Sequence, residues 1–353
     1  MIKILAIGDP HFRIDNLDES NQFINNLSKL IEERQDIDVI VVLGDILHTH
    51  EKLHTVALNS ATNFFKMLIS HKRKLFCLVG NHDATSNTIF LTDNHWMNAL
   101  KGWDGLTIVD YPITEKLGDC SITLCPYVPD GRLIEALNHV DDWKESKVIF
   151  AHQLLDGAKM GPIVASNVEE WKDNYPLCVS GHIHDKQKIK DNLVYVGSSM
   201  QHSYGETGDK SLGLITLYEE HPPTVEEIEL DIKKKKILYA TVDELLEIQE
   251  KILNNEDIEY KIVLKGKESE LKALKQSSLY KETLDMDNVK KITFKATFKD
   301  EGEPKVLEDD FVECLQSLVY KENNPYLESL YEHLLYGKED KSDGDIFFFS
   351  SSE

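Results

Sequence analysis

The feature that most constrains this chain is a recurring unit, a short apolar run that stops on a cluster of acidic, amide and imidazole residues. Ile2–Ile7 runs into Gly8-Asp9-Pro10-His11, and Val39–Leu43 into Gly44-Asp45. Leu75–Val79 runs into Gly80-Asn81-His82-Asp83, Val148–Phe150 into Ala151-His152, and Leu177–Ser180 into Gly181-His182-Ile183-His184. Runs this rich in Val, Ile and Leu, without polar alternation, suit strands buried on both faces. The stretches 18–34 and 54–71 carry helical periodicity between them, so the pattern predicts an α/β layered core. In such sheets ligands gather beyond the carboxyl ends of the strands, which is where each polar cluster falls.

The polar residues that this arrangement would bring to one rim are Asp9, His11, Asp45, Asn81, His82, His152, His182 and His184. They form a mixed carboxylate, amide and imidazole set suited to a pair of divalent cations, with Asp45 the natural bridging carboxylate. Asp9-x-His11 and His182-x-His184 are expected to address one metal pair because residues i and i+2 of an extended chain point the same way. Nitrogen-rich ligation favours a transition metal, Mn²⁺ first, over the oxygen octahedron of Mg²⁺; Fe, Zn and Mg²⁺ are the alternatives. His82 is better cast as a general acid or transition-state donor, because Asn81 beside it can coordinate instead.

Further along, Val194–Val196, Leu212–Leu217 and Val225–Leu230 read as strands of a second sheet, and the core is expected to span 1–232. Lys233–Lys236 reads as a basic linker, either solvated or facing phosphate. Residues up to 300 read as a small α+β accessory domain. Thr241 and Glu244 form a capping-box pattern before a helix with Leu245, Ile248 and Ile252 on one face. Ile258–Leu264 and Ile292–Phe298 alternate as half-buried strands. Residues 301–336 read as helices, with Phe311, Leu315, Leu318 and Val319 on one stripe and Tyr326, Leu327, Leu330, Tyr331 and Leu334 on the next, divided at Asn323-Asn324-Pro325. An acidic tail, 337–353, carries Phe347-Phe348-Phe349, either a docking peptide or a disordered end.

A formal charge of −23 disfavours a simple nucleic-acid binder, so any reading that involves DNA must rest on the site. Bound cations and a partner subunit could supply the missing positive charge. The five scattered cysteines, none in CxxC spacing, suit reduced thiols. Together with the lack of a signal segment or an apolar membrane span, they lead to the expectation of a cytoplasmic protein with no membrane partner.

Taken together, the five motifs resemble the signature of calcineurin-like metallophosphoesterases. The finer resemblance is to the SbcD nuclease family, the meiotic recombination eleven-type enzymes of double-strand-break repair. Protein phosphatases of that superfamily follow Gly-Asp with Asp-Arg, whereas this chain has Gly44-Asp45-Ile46-Leu47-His48. Tyr195-Val196-Gly197-Ser198-Ser199, Ser203-Tyr204-Gly205-Glu206 and Lys210-Ser211-Leu212-Gly213 also resemble that family's segment after the last motif. The likeness covers about the first 220 residues, and the chain's compactness resembles the phage branch, the recombination endonuclease subunits.

The resemblance implies a four-layer αββα sandwich and two metal sites. Asp9, His11, Asp45 and His184 would hold the first ion, and Asp45, Asn81, His152 and His182 the second. His82 would be catalytic, and His48 would assist substrate positioning, unless it is simply a surface residue. It further implies Mn²⁺-dependent 3′-to-5′ exonuclease and structure-dependent endonuclease activity on DNA in repair, recombination and replication. The implied assembly is a homodimer within a heterotetramer, together with an SbcC-like coiled-coil ABC ATPase docked on 301–336, in a host cytoplasm if phage-encoded. The rival expectations are a protein or small-molecule phosphoesterase of the same superfamily and a catalytically silent scaffold. The stripe Val56, Phe64, Phe65 and Leu68 is either a dimer face or core.

Overall fold

A computed structural model of the chain describes residues 1–50, 52–255 and 257–296, together with Leu315, Val319, Tyr320, Lys321 and Tyr331. The chain packs as two units, Met1–Ala296 and Thr297–Glu353. In the second unit the five described residues are helical, and Val319 and Tyr331 are buried. The other positions of the two expected stripes, the Asn323–Pro325 break and the Phe347–Phe349 tail lie outside the described residues.

The first unit is built on two six-stranded mixed sheets. One contains β1 (Ile2–Ile7), β2 (Val39–Val42), β3 (Lys74–Leu78) and β4 (Thr107–Val109), parallel and adjacent in that order. The other has β5 (Ile113–Leu117), β6 (Cys120–Leu124) and β7 (Val148–His152). A two-stranded hairpin, β8 (Lys159–Met160) and β9 (Ile163–Val164), precedes β10 (Leu177–Gly181), β11 (Gln187–Lys190) and β12 (Leu193–Tyr195). The second sheet runs β11-β12-β10-β7-β6-β5.

The two strands that follow, β13 (Ser211–Leu217) and β14 (Thr224–Glu229), do not join the second sheet as the sequence suggested. β13 returns antiparallel to β1, pairing Leu5 with Leu214, and β14 forms the edge of the first sheet. Strand periodicity identifies a strand without identifying its neighbour, and that choice rests on contacts made by residues some 200 positions apart.

Side-chain alternation explains the layering. On β1, Ile4 and Ala6 point into the space between the sheets, where they meet Val39, Val41, Phe76, Val148, Phe150 and Val179. Leu5 and Ile7 point the other way, toward α1 (Leu17–Glu33) and α2 (Thr55–Ser70). On the far side of the second sheet Ile149, Ala151 and Cys178 pack with Trp143, Trp171 and α3 (Leu133–Leu137). Helix, sheet, sheet and helix thus form the expected layered sandwich, and strands covered on both faces need not alternate in polarity. Helix α1 buries Phe23, Leu27 and Ile31, spaced four apart, and keeps Asp18 and Glu19 in its first turn. In α2, Phe64, Phe65 and Leu68 are completely buried while Val56 is exposed, so most of that stripe is core.

The remaining elements are β15 (Lys234–Thr241), α4 (Leu245–Leu253), β16 (Ile258–Gly266), α5 (Glu268–Lys275), α6 (Ser278–Leu284) and β17 (Val289–Ala296). The three strands are parallel in the order β15-β16-β17, over a core that includes Leu245, Ile248, Ile252, Ile262 and Leu264. The Thr241 N–H donates to Glu244 Oε2 at 2.8 Å, one half of the expected capping box.

The lysine run is not a linker. Lys234–Lys236 opens β15, and Lys235 is buried with its Nζ 2.7 Å from Glu19 Oε1 on α1. A run of like charges hides which member a sheet will turn inward; alternation along the strand decides it, and α1 supplies the counter-charge.

Candidate metal centre

The carboxyl ends of β1, β2, β3, β7 and β10 meet at one rim and bring together all nine residues selected from the sequence. Asp9 and His11 follow β1, Asp45 and His48 follow β2, and Asn81 and His82 follow β3. His152 is the last residue of β7, and His182 and His184 follow β10.

The way these residues reach the rim differs from the extended geometry expected of Asp9-x-His11 and His182-x-His184. Asp9, His11, Asp45 and His182 all have left-handed backbone, with φ of 38°, 45°, 51° and 77°. This conformation is costly for residues with a side chain and concentrates at functional sites. The chain turns sharply at each strand end and throws the next side chain inward, a geometry to which strand periodicity is blind. Two glycines permit the close approach of neighbouring loops. A side chain on Gly44, itself at φ 106°, would stand 2.8 Å from the Gly80 nitrogen, and one on Gly80 would collide with Asp45.

Asp45 is central. Its Oδ2 lies 3.4 Å from His11 Nε2, and its Oδ1 lies 3.4 Å from His152 Nε2. Two compact donor groups share it, Asp9–His11–Asp45 and Asp45–His152–His182, each with its ligand atoms within 4.8 Å of one another. His184 joins the first group through its Nε2, 3.1 Å from His11 Nε2. Asn81 joins the second, with Oδ1 2.9 Å from both His152 Nε2 and His182 Nδ1.

These residues suit divalent cations. Ring nitrogens and carboxylates facing each other at about 3 Å are spaced as ligands of one ion, given metal–nitrogen bonds of about 2 Å. His11 Nδ1 is also buried without a hydrogen-bond partner. His152 Nδ1–H donates to the Leu43 carbonyl at 2.7 Å, which fixes Nε2 as the nitrogen turned to the centre. The two Asp9 carboxylate oxygens accept from the His182 N–H at 3.0 and 3.2 Å.

Burial and mutual proximity set the electrostatics. Burial pushes the Asp9 carboxyl up to about 6, with Asp45 adding to the rise against the pull of His152. Burial also opposes charge on Asp45, yet His152, His11 and His82 hold its carboxyl well below the usual range. For His152, burial disfavours the proton, but Asp45, Asp9 and the Leu43 carbonyl carry it up to about 9. Burial takes His182 down to about 3 and His11 well below the ordinary imidazole value. Asp45 is thus ionised beside neutral His11 and His182, ready donors for a cation, whereas His152 holds a proton that a bound cation would displace.

His82 stands over this group. Its Nδ1 bonds to the His48 carbonyl at 2.7 Å, and its ring stacks between those of His48 and His50, at centroid distances of 5.6 and 4.5 Å. Its own N–H donates to Asp45 Oδ1 at 2.8 Å.

The roles of several residues at the centre escaped the sequence reading. Asp83 is completely buried and accepts from the N–H groups of Ile46, Leu47 and Gly80 and from Trp96 Nε1, tying the β2 and β3 loops together. His50 and His202 belong to no motif, and His202 lies with His11 and His184 in a third group of possible donors. Glu206 was visible only as part of a family-like segment. Its contact with His184 exists because that segment folds back over the rim.

The chain belongs to the calcineurin-like phosphoesterase family, whose model matches residues 2–186. Its class is therefore that of the metal-dependent phosphoester hydrolases. It is 42% identical over 286 residues to "Putative phosphoesterase 244L" of Invertebrate iridescent virus 6, covering 78% of this chain and 98% of that protein. It is 39% identical over 287 residues to "Putative phosphoesterase 078R" of Invertebrate iridescent virus 3, covering 80% and 82%. Among solved structures, the purple acid phosphatase PPD1 from yellow lupin (Lupinus luteus) seeds matches with a TM-score of 0.40 at 13% identity, over 61% of this chain and 49% of that one. Among the described residues, no helix is long and apolar enough to cross a membrane.

Proposed function

We propose that the chain is a two-metal DNA nuclease of the SbcD type, cutting phosphodiesters as an exonuclease and structure-dependent endonuclease in DNA repair and recombination. The observation that carries the two-metal part is that two donor groups share Asp45. In this reading Asp9, His11, Asp45 and His184 hold one ion and Asp45, Asn81, His152 and His182 the other, Mn²⁺ being the ion that best suits so many nitrogens. A pair of bound ions supplies Lewis acidity toward phosphate and lowers the pKa of water.

The protein's own residues do the rest. Asp45 sets the spacing between the two halves. His82, with Nδ1–H committed to the His48 carbonyl, presents Nε2 as the atom that, in the imidazolium form, gives its proton to the leaving oxygen and is left as the neutral Nδ1–H imidazole. His48 backs that ring and faces the incoming strand.

The assignment to DNA draws on the sequence Gly44-Asp45-Ile46-Leu47-His48 in place of a phosphatase Asp-Arg, and on the segment 195–206, which packs against the centre. Ser199 N–H donates to the Gly8 carbonyl at 2.8 Å and Ser198 N–H to the His184 carbonyl at 3.1 Å. Residues 233–300 act in this reading as an accessory domain. The 301–336 region docks an SbcC-like ATPase, two copies of each subunit forming a heterotetramer in the cytoplasm. Such a partner offsets the acidity of this chain.

The test compares Mn²⁺-dependent hydrolysis of linear duplex DNA with that of a phosphoprotein and of p-nitrophenyl phosphate. Preferential release of nucleotides is expected. Faster turnover of the phosphoprotein or the small ester would overturn the DNA reading while leaving the family intact.

A further inference from the structure

We propose that Glu206 and His202 are positioning residues for one half of the centre, the Asp9–His11–Asp45–His184 half. The inference rests on the two-metal reading above. Both residues lie on the loop between β12 and β13, outside every motif that supplies a ligand.

Glu206 acts on His184. Its Oε1 is 3.4 Å from His184 Nδ1, the ring nitrogen remote from His11. Its Oε2 is fixed from two sides, by the His202 N–H at 3.1 Å and by the largely buried Lys210 ammonium at 3.0 Å. Lys210 Nζ also donates to the His184 carbonyl at 2.8 Å, so ring and backbone of His184 are held by one Glu–Lys pair. A carboxylate behind a ligating imidazole selects its tautomer and orients the ring.

His202 acts on Asp9. Its Nε2–H donates to the Asp9 carbonyl at 2.8 Å, and its buried ring packs 4.8 Å from His11 and 5.0 Å from His184. That bond steadies a residue whose left-handed backbone is intrinsically unfavourable.

The loop itself is anchored from outside. Gln201 exchanges two hydrogen bonds with the Lys235 backbone on β15, and Tyr204 donates its hydroxyl to Glu259 on β16. Among the described residues, neither Glu206 nor His202 bonds directly to a ligand of the other half, where His152 is oriented by the Leu43 carbonyl. The loop therefore acts directly on one ion site and reaches the other only through Asp9.

The experiment is calorimetric titration of Mn²⁺ into the full chain, with electron paramagnetic resonance to distinguish a lone ion from a coupled pair. Wild type should take up two ions. Glu206→Ala and His202→Leu should each weaken one site about 10–100-fold and leave the other unchanged, so that a lone-ion signal appears at low Mn²⁺. His202→Gln, whose amide can still reach the Asp9 carbonyl, should restore near-wild-type affinity. If Glu206→Ala does not fold, Glu206→Gln, which opposes an amide to Lys210, should still lose at least about tenfold at one site. Unchanged affinities, equal weakening of both sites, or no rescue by Gln would overturn the proposal with the two-metal reading standing. A wild type that binds fewer than two ions would overturn both.

Discussion

His82 donates its Nδ1–H to the main-chain carbonyl of His48 at 2.7 Å. A carbonyl can only accept, so this bond fixes the tautomer and leaves Nε2 as the reactive nitrogen. His82→Gln should therefore keep both ions and lose at least about 10²-fold in phosphodiester hydrolysis. Metal analysis beside a gel-based DNA degradation assay checks both halves, and undiminished turnover would remove His82 from the mechanism.

Asp45 faces His11 with one oxygen and His152 with the other. Asp45→Ala should empty both ion sites together, because Asp45 is the residue that the two donor groups share. Elemental analysis of the dialysed variant is the measurement; a protein that retains two ions would contradict the shared ligand.

Asp83 accepts from three backbone N–H groups and an indole, all at a completely buried carboxylate. Asp83→Ala strands those donors without water, and a stability loss of about 3 kcal/mol is expected in urea melts. Because the β2 and β3 loops carry Asp45 and Asn81, Mn²⁺ affinity should fall about 10–100-fold as well. A variant with wild-type stability would show that the loops hold without this carboxylate.

The Glu19–Lys235 pair joins the first helix to the three-stranded sheet with both side chains buried. Lys235→Met alone should cost about 3–5 kcal/mol by leaving a buried carboxylate unpaired, whereas Glu19→Leu with Lys235→Met should come close to wild type. A double-mutant cycle by chemical denaturation reads the coupling directly, and additive losses would place the pair in solvent.

Asp9 and Asp45 bring two buried carboxylates into one centre, and cations should relieve their repulsion. Chelation should lower the melting temperature and added Mn²⁺ should restore it, with about 2.7 kcal/mol of stabilisation at a hundredfold excess over Kd. A melting temperature indifferent to chelator and Mn²⁺ would argue against ion binding at this rim.

The order of strand, polar cluster and helix is written along the chain, because a strand covered on both faces must be apolar throughout and must end where its backbone turns polar. That pattern therefore selected eight of the nine candidate residues and the layered α/β class, and the family resemblance added His48. It could not determine how they converge. The left-handed turns at Asp9, His11, Asp45 and His182, the return of β13 to β1, and the burial of Lys235 against Glu19 all depend on partners far away in the chain. The roles of Asp83, His202 and Glu206 stayed hidden for the same reason. A hydrogen bond to a distant loop leaves no periodicity and no local spacing, and only the packed sheets bring its two ends together.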